Sequence, residues 1–130
     1  MEDFPRKDAK EGNAKLEDNV AADVIMYIID HYSDQISTKT AAAHLNLSVR
    51  QLERVIQKRL NTTFSTLLNE YRIRIAEQKI CADEQGSISF ESVCSDVGYN
   101  SYFCFLKQFK IHAGCTPSEY RCAYLKGKEA

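Results

Sequence analysis

Basic side chains recur every four residues in the segment SVRQLERVIQK, which covers residues 48–58. If the segment is helical, cations line one face and apolar side chains the other: Arg50, Arg54 and Lys58 against Leu52, Val55 and Ile56. Arginine pairs bidentately with guanine, and lysine binds phosphate as a point charge. A helix with one buried face and one cationic face is therefore a candidate for contact with nucleic acid.

Local signals on both sides of this segment position it as the second helix of a pair. Residues 38–45 are rich in alanine and predict a short preceding helix. Asn46 ends that helix, because asparagine tolerates the left-handed backbone of a tight turn. Ser48 is then the expected N-cap, and Gln51 completes a capping box three residues later.

The same arrangement occurs a second time in the chain. Ala42, Asn46 and Leu47 match Cys94, Gly98 and Tyr99 at a spacing of 52, and Leu52, Arg54 and Ile56 match Phe105, Lys107 and Phe109 at a spacing of 53. Each copy has a small inward residue, a turn at Asn or Gly, and a second amphipathic helix with a cation. This pattern is typical of a helix-turn-helix unit, whose second helix enters a major groove about 12 Å wide.

The other segments are also predicted to be helical. Apolar residues predict one helix from Val20 to about Tyr32, and residues 63–83 form a long one that would span about 30 Å, close to the roughly 34 Å repeat of major-groove faces. The remaining helix starts are Ser89, Asn100 or Ser101, and Thr116 with Pro117 and Glu119. No segment alternates as a strand would. The prediction is an all-α protein of about seven helices, with two helix-turn-helix subdomains bridged by a long linker helix.

The expected parts of the chain follow from these elements. They are a flexible N-terminal arm or linker at 1–18, a first subdomain at 19–62, the linker helix at 63–84, a second subdomain at 85–126 and a tail at 127–130.

The small net charge hides an uneven distribution of charge along the chain. The formal net charge of the 130 residues is −1, but residues 1–37 hold nine acidic and four basic side chains (−5), and residues 38–126 hold eight and twelve (+4). The net positive charge of residues 38–126 favours a polyanionic partner. The apolar runs are much shorter than the roughly 20 residues of a membrane helix, and no secretory signal is visible. We therefore expect a soluble, cytoplasmic protein with no membrane partner.

The cysteines do not follow a metal-binding or disulfide pattern. The five cysteines lie at positions 81, 94, 104, 115 and 122, and no two are spaced as Cys-x-x-Cys. Zinc sites typically use close ligand pairs, and secreted scaffolds use even numbers of cysteines. Paired carboxylates, a Ser/His/Asp order and a phosphate loop are also missing from the sequence. The sequence thus predicts a protein that is not an enzyme and that uses no metal or cofactor.

Taken together, these motifs resemble the DNA-binding domain of the AraC/XylS family of bacterial transcription regulators. The resemblance covers about residues 20–124. Its motifs are Ser87-Ile88 through Val97-Gly98-Tyr99, Phe105-x-Lys107-x-Phe109-Lys110, Gly114-x-Thr116-Pro117-Ser118-Glu119-Tyr120-Arg121, Ser48-x3-Leu52-x-Arg54 and Arg72-Ile73-x-x-Ala76. The resemblance implies that the two subdomains bind double-stranded DNA at an asymmetric site, and that RNA polymerase is a partner in activation. It is also compatible with a sensing or dimerisation domain outside this chain.

The resemblance also assigns the site residues. Base-reading positions are Arg50, Glu53 and Arg54 in the first unit, and Tyr102, Phe103, Leu106 and Lys107 in the second. Phosphate contacts are expected from Thr38, Lys39, Ser48, Lys58, Ser101 and Lys110. Lys107 stands where the family usually has arginine and lacks its bidentate fork. We therefore expect the first unit to set most of the specificity, and the second to contact thymine methyl groups and phosphates.

Several alternatives remain open at this point. Arg50 and Arg54 could form a solvated face paired with Glu53, the aromatic pair 102–103 could belong to the core, and Arg72 could be an ion-pair partner as well as a DNA contact. For the whole chain, the alternatives are a helical protein-interaction module with basic faces and a thiol-based redox-sensing regulator. Binding that falls steeply with salt and discriminates among duplex sequences would exclude the interaction module.

Overall fold

The computed structural model describes the backbone of residues 6–129 and the side chains of residues 16–127. The helices are α1 Arg6–His31, α2 Thr38–His44, α3 Val49–Leu60, α4 Phe64–Ala82, α5 Phe90–Asp96, α6 Tyr102–Ala113 and α7 Pro117–Glu129. This described part contains no strand. The predicted all-α class with about seven helices is confirmed. None of these helices has both the length and the apolar character that are needed to cross a membrane.

α1 begins earlier than the sequence predicted. Apolar periodicity placed its start near Val20, whereas the helix begins at Arg6 and passes through Gly12. Periodicity detects only a helix with a buried face, but this stretch is rich in lysine, glutamate and alanine, which favour helix without one. Residues 6–18 of the expected arm are thus helical, and residues 1–5 lie outside the described part of the chain.

The helix starts predicted at Ser48, Ser89, Ser101 and Thr116 are confirmed by side-chain caps. In four helices the side-chain oxygen of a serine N-cap accepts a hydrogen bond from a backbone N–H of the first turn; the caps are Ser37, Ser48, Ser89 and Ser101. At α7, Thr116 Oγ1 accepts from the Glu119 amide at 3.2 Å while Glu119 Oε1 accepts from the Thr116 amide at 2.9 Å. Each cap satisfies N–H groups that have no partner inside the helix.

The chain divides into two compact units. The first contains the described residues up to Asp30 together with Ile36–Ser65. Fully buried side chains from three helices form its core: Val24, Ala41, Leu52 and Ile56. The Tyr27 hydroxyl donates to Thr40 Oγ1 at 3.2 Å, which ties α1 to α2. The α2–α3 pair is therefore held by apolar packing against α1.

The second unit contains His31–Gln35 and the residues from Thr66 onward. Side chains of α4, α6 and α5 with its C-cap residue Val97 are fully buried in its core: Ile73, Ala76, Val93, Val97, Phe105 and Phe109. Tyr120 of α7 packs edge-on against Phe109, with ring centroids 5.7 Å apart. The neighbouring Arg121 donates from Nη2 to the Ile88 carbonyl at 2.6 Å. These two residues anchor α7 and give a structural reason for the Tyr-Arg pair in the motif.

Arg72 is a buried charged residue of the second unit, 7% exposed. Its Nε donates to the Tyr32 carbonyl at 2.7 Å, and its Nη2 donates to the Asp34 carbonyl at 2.8 Å. The guanidinium carbon lies 5.1 Å from the centroid of the Tyr99 ring, and burial lowers the pKa of Arg72. Since its hydrogen bonds end on backbone carbonyls and its side chain is buried, Arg72 anchors residues 31–35 and is not free to contact DNA.

The helix-turn-helix arrangement occurs twice with the same spacing as in the sequence. α2 and α5 begin at residues 38 and 90, 52 apart, and α3 and α6 begin at residues 49 and 102, 53 apart. In both units the residue after the turn donates its N–H to the carbonyl of the buried small residue. These bonds run from Leu47 to Ala42 at 2.9 Å and from Tyr99 to Cys94 at 3.0 Å. The repeat of motifs is therefore a repeat of backbone geometry.

Left-handed backbone occurs at equivalent places in the two units. The turn residues Asn46 and Gly98 have φ of 59° and 102°, and Asn61 and Gly114, which follow α3 and α6, have φ of 53° and 83°. Asparagine is one of the few residues besides glycine that adopts this conformation at low cost. Asn61 can therefore take the same left-handed backbone as Gly114 at the equivalent place.

Gly98→Ala is expected to lower the free energy of unfolding by about 2–5 kcal/mol. A Cβ atom at this position would lie 2.8 Å from the Tyr32 carbonyl oxygen and 3.0 Å from the Ser33 Cα, so the backbone must move in addition to the strain of a positive φ. The control is Gly114→Ala, since the Gly114 φ is also positive but no atom lies within 4 Å of the added Cβ. Its expected loss is about 1–2 kcal/mol. Urea unfolding followed by circular dichroism measures both, and equal losses would contradict the close approach at Gly98.

Candidate nucleic-acid interface

The inner face of α3 fixes how the helix lies in the first unit. Leu52 and Ile56 are fully buried and Val55 is 6% exposed. At its start, Ser48 Oγ accepts from the Gln51 amide at 3.1 Å, and Gln51 Oε1 accepts from the Ser48 amide at 2.9 Å. Gln51 is therefore occupied by the capping box, as the sequence predicted. The buried stripe and the cap together determine which side chains point outward.

The structure brings the three predicted base-reading residues of the first unit together on the outer face of α3. Arg50, Glu53 and Arg54 are all exposed. None of the ion pairs between described side chains joins Glu53 to either arginine. A shallow groove in this unit is lined by Glu53 and Arg54 of α3 and by Thr38 of α2. The outer face of α3 thus offers donors and an acceptor that are free to meet base edges.

The predicted phosphate contacts of the first unit lie beside this face. Thr38 is half-buried and Lys39 is exposed, both in the first turn of α2. The Ser48 hydroxyl oxygen accepts the cap bond, and its proton is still able to bind a phosphate oxygen. Lys58 differs from the others, since its Nζ is 3.2 Å from Oε1 of Glu17 in α1.

In the second unit, α6 presents a different outer face. Phe105 and Phe109 are fully buried, and Ser101 Oγ accepts from the Cys104 amide at 3.2 Å at the start of the helix. Phe103 is 77% exposed, although it is a large aromatic residue. Lys107 and Lys110 are exposed on the same helix. This outer face therefore combines an aromatic ring with two cations.

Two of the predicted base-reading residues of α6 are only partly accessible. Tyr102 and Leu106 are half-buried and pack against the core of the second unit. The Tyr102 ring stacks on Phe105 with centroids 6.0 Å apart, and burial raises the pKa of Tyr102, so its phenol is neutral at pH 7. Each keeps a partly exposed edge, whereas Phe103 projects freely. Tyr102 therefore belongs in part to the core of the second unit, and Phe103 does not belong to it.

Two residues near the candidate interface were missed by the sequence reasoning. Gln57 is exposed and lines the same groove as Arg54, and its Nε2 donates to Asn61 Oδ1 at 3.2 Å. Its spacing of three and four residues from Arg54 and Glu53 was a usable signal. Glu17 was missed because it fell within the predicted arm, and no local pattern indicates a contact with α3.

The described part of the chain contains no group of three or more His, Cys, Asp or Glu side chains that could hold a metal ion. All five cysteines are free thiols. Cys104 and Cys122 are exposed, and Cys94 is buried at the crossing of α5 and α6, where burial raises its pKa.

Comparisons with a family model and with curated proteins agree on the same kind of protein. Residues 41–123 match the helix-turn-helix domain family. Over 97 residues the chain is 31% identical to the raffinose operon transcriptional regulatory protein of Pediococcus pentosaceus, covering 75% of this chain and 34% of that protein. The chain therefore spans about a third of the length of this curated relative.

Solved structures agree with the sequence matches. An AraC-type transcriptional regulator from Chromobacterium violaceum has a TM-score of 0.73 at 25% identity, over 82% of this chain and 93% of that one. A DNA-binding transcriptional dual regulator from Escherichia coli K-12 has a TM-score of 0.72 at 25% identity, with the same coverage of 82% and 93%.

Proposed function

Because the chain belongs to the AraC family of helix-turn-helix proteins, we propose that it is a sequence-specific, double-stranded DNA-binding regulator of transcription. The observation that carries the proposal is the repeated helix-turn-helix geometry, with exposed cations on the outer face of the second helix in each unit. In the bound state, α3 and α6 each enter a major-groove face of one duplex. The subdomain limits proposed from the sequence, 19–62 and 85–126, contain one recognition helix each, and the linker helix at 63–84 joins them.

In this proposal the first unit supplies most of the sequence discrimination. The α3 face has two arginines that can each make a bidentate pair with guanine, and Glu53 can accept from the amino group of cytosine. Thr38, Lys39, Ser48 and the other phosphate contacts set the register of the helix without reading sequence. The exposure of all three base-reading side chains supports this assignment.

The second unit has the chemistry for apolar readout. Thymine is the only base with a methyl group in the major groove, and Phe103 is an exposed apolar side chain in the first turn of α6. Lys107 keeps its predicted place beside the base edges as a point charge, and Lys110 serves as a point charge near phosphate oxygens. We therefore propose that this unit favours thymine-containing sites and adds affinity more than discrimination.

Replacing thymine with deoxyuracil in the half-site bound by α6 is expected to weaken binding about fourfold per contacted methyl group, because one buried methyl is worth about 0.8 kcal/mol. The change removes the methyl group and leaves base pairing intact. Phe103→Ala should abolish the difference between the two duplexes, whereas uracil in the half-site bound by α3 should matter less. Fluorescence anisotropy with matched duplexes measures these five affinities. Equal binding of the wild-type protein to thymine and uracil duplexes would contradict methyl readout.

We also propose that the protein acts in the cytoplasm as an activator that contacts RNA polymerase, as the family resemblance implies. Transcription in vitro from a promoter that carries the selected site tests this directly. Added protein should increase the amount of transcript, and a decrease would assign it to repression instead.

The central experiment is selection from random duplex DNA followed by a salt titration. Selected duplexes should share one asymmetric site, and binding to it should exceed binding to random duplex by about 10³-fold or more. The logarithm of affinity should fall linearly with the logarithm of salt concentration, with a slope near −0.9 for each phosphate contact. Enrichment of no sequence, or binding that is insensitive to salt, would contradict the proposed function and favour a protein-interaction module.

A further inference from the structure

An acidic segment of α1 lies against the C-terminal half of the recognition helix α3, within the first unit. Glu17 Oε1 accepts hydrogen bonds from Lys58 Nζ at 3.2 Å and from Arg59 Nη2 at 2.9 Å. The Asp18 carboxylate lies 3.5 Å from Arg59 Nε. The two hydrogen bonds lower the pKa of Glu17, which is therefore a carboxylate at neutral pH.

The two cations that Glu17 holds are not equivalent. The Arg59 side chain is 26% exposed and is enclosed by two carboxylates, so its contact fixes α1 against α3. The Lys58 side chain is 57% exposed and belongs to the cationic stripe that continues from Arg54. Leu16 and Glu17 line a surface depression together with Arg54 and Lys58, which places the acidic segment beside the base-reading face.

Pairing with Glu17 has a consequence for DNA binding. A phosphate oxygen that approaches Lys58 must compete with a carboxylate that is already within hydrogen-bond distance. The same phosphate is repelled by the negative charge of Glu17, since 3.2 Å from Lys58 is well within the Debye length of about 8–10 Å at ordinary salt. The free cation count of the α3 face is therefore lower than its sequence suggests.

We propose that Glu17 is an autoinhibitory residue, which withholds Lys58 from the DNA backbone until α1 shifts or Lys58 exchanges from carboxylate to phosphate. This inference rests on the proposed function and concerns the regulation of the same site. It makes the position of α1 at Glu17 a control on the affinity of the first unit. Arg59 keeps α1 attached to α3 in this exchange, because its contacts with Glu17 and Asp18 can persist while Lys58 leaves.

The test uses Glu17→Gln, which keeps the shape and hydrogen-bonding capacity of the side chain but removes its charge. On the selected duplex, this variant should bind about three- to fivefold more tightly than wild type, and its salt slope should steepen by about 0.9 because one more phosphate is contacted. The matched control is Asp18→Asn, which removes an adjacent negative charge but leaves the Glu17–Lys58 pair. Its affinity should change less than about twofold, with an unchanged slope.

Lys58→Gln identifies the cation that is released. It should have little effect in the wild-type background and should remove the whole gain in the Glu17→Gln background. The proposal is overturned if Glu17→Gln binds no more tightly than wild type, if Asp18→Asn gives the same gain, or if the gain survives without Lys58. If thermal unfolding shows that Glu17→Gln is not folded, Glu17→Asp replaces it, since the shorter side chain withdraws the carboxylate from Lys58. This variant is also expected to bind the duplex more tightly than wild type, and unchanged affinity would overturn the proposal. Failure of the proposed function is distinct, because wild type would then enrich no duplex at all.

Discussion

Arg72→Ala is expected to lower the free energy of unfolding by about 3–5 kcal/mol, a large part of the stability of a small domain. The substitution removes two charge-assisted hydrogen bonds, to the carbonyls of Tyr32 and Asp34, and leaves these groups without their donor. It also removes the guanidinium from the face of the Tyr99 ring and creates a cavity at a 7% exposed position. Urea unfolding of the folded chain, followed by circular dichroism, measures the loss.

Arg74→Ala is the matched control for this prediction. Arg74 lies two residues further along α4, its side chain is 64% exposed, and it pairs with Glu70 at 3.3 Å. An exposed ion pair of this kind contributes only about 0.2–0.5 kcal/mol. The loss of unfolding free energy for Arg72→Lys should lie between those of the two alanine variants, because lysine keeps the charge but cannot reach both carbonyls with a planar fork. Similar losses for Arg72→Ala and Arg74→Ala would contradict the anchoring role of Arg72.

Arg54→Ala is expected to weaken binding to the selected site by about 1–3 kcal/mol and to relax the preference at one base position. Arg54 is exposed at the middle of the α3 face and lines the groove that also contains Glu53 and Thr38. Affinities for the selected duplex and for each single-base variant give the complete preference profile. A profile that keeps its shape after the substitution would remove Arg54 from base reading.

Lys110→Ala provides the contrast to Arg54→Ala. Lys110 is exposed near the end of α6, where a point charge can reach phosphate but has no fork for a base edge. Its loss should weaken binding to all duplexes by a similar factor and lower the magnitude of the salt slope by about 0.9. An unaltered slope would exclude a phosphate contact by Lys110. The two variants thus separate sequence reading from backbone binding.

The helical repeat could be predicted from sequence because the rules that produce it are local. Each cap needs residues only three positions apart, as in Ser48 with Gln51, and each turn needs one residue that tolerates a positive φ, as in Asn46 and Gly98. The buried stripe of α3 follows from the helical period alone. These features were predicted correctly, and the helix pairs of the two units begin 52 and 53 residues apart, as the motif spacing predicted.

The features that were missed depend on contacts between distant parts of the chain. Arg72 reaches carbonyls 40 and 38 residues away, and Glu17 reaches Lys58 across 41 residues. Backbone carbonyls carry no side-chain signal, so nothing in the sequence marks Tyr32 and Asp34 as the partners of Arg72. The start of α1 was misplaced for a different reason, since residues 6–19 have few apolar side chains in their sequence and periodicity alone cannot detect such a helix.

The candidate site shows the same limit on a smaller scale. On α3, polar and apolar residues separate cleanly, and the outer face was assigned from its period. On α6, six of the first eight residues are apolar or aromatic, so the period does not decide which of Tyr102 and Phe103 points outward. The structure does decide, because Tyr102 stacks on Phe105 and leaves Phe103 exposed.

Base-modification interference on the selected duplex tests the central claim most directly, because dimethyl sulfate modifies guanine N7 and permanganate modifies thymine, both in the major groove. If α3 and α6 both read the duplex, modification should reduce binding at two clusters of guanines or thymines whose centres lie about 10 base pairs, or one helical turn, apart. Arg54→Ala should weaken the interference in one cluster only. Interference that is confined to a single cluster, or that is absent from the major groove altogether, would contradict recognition by two helices.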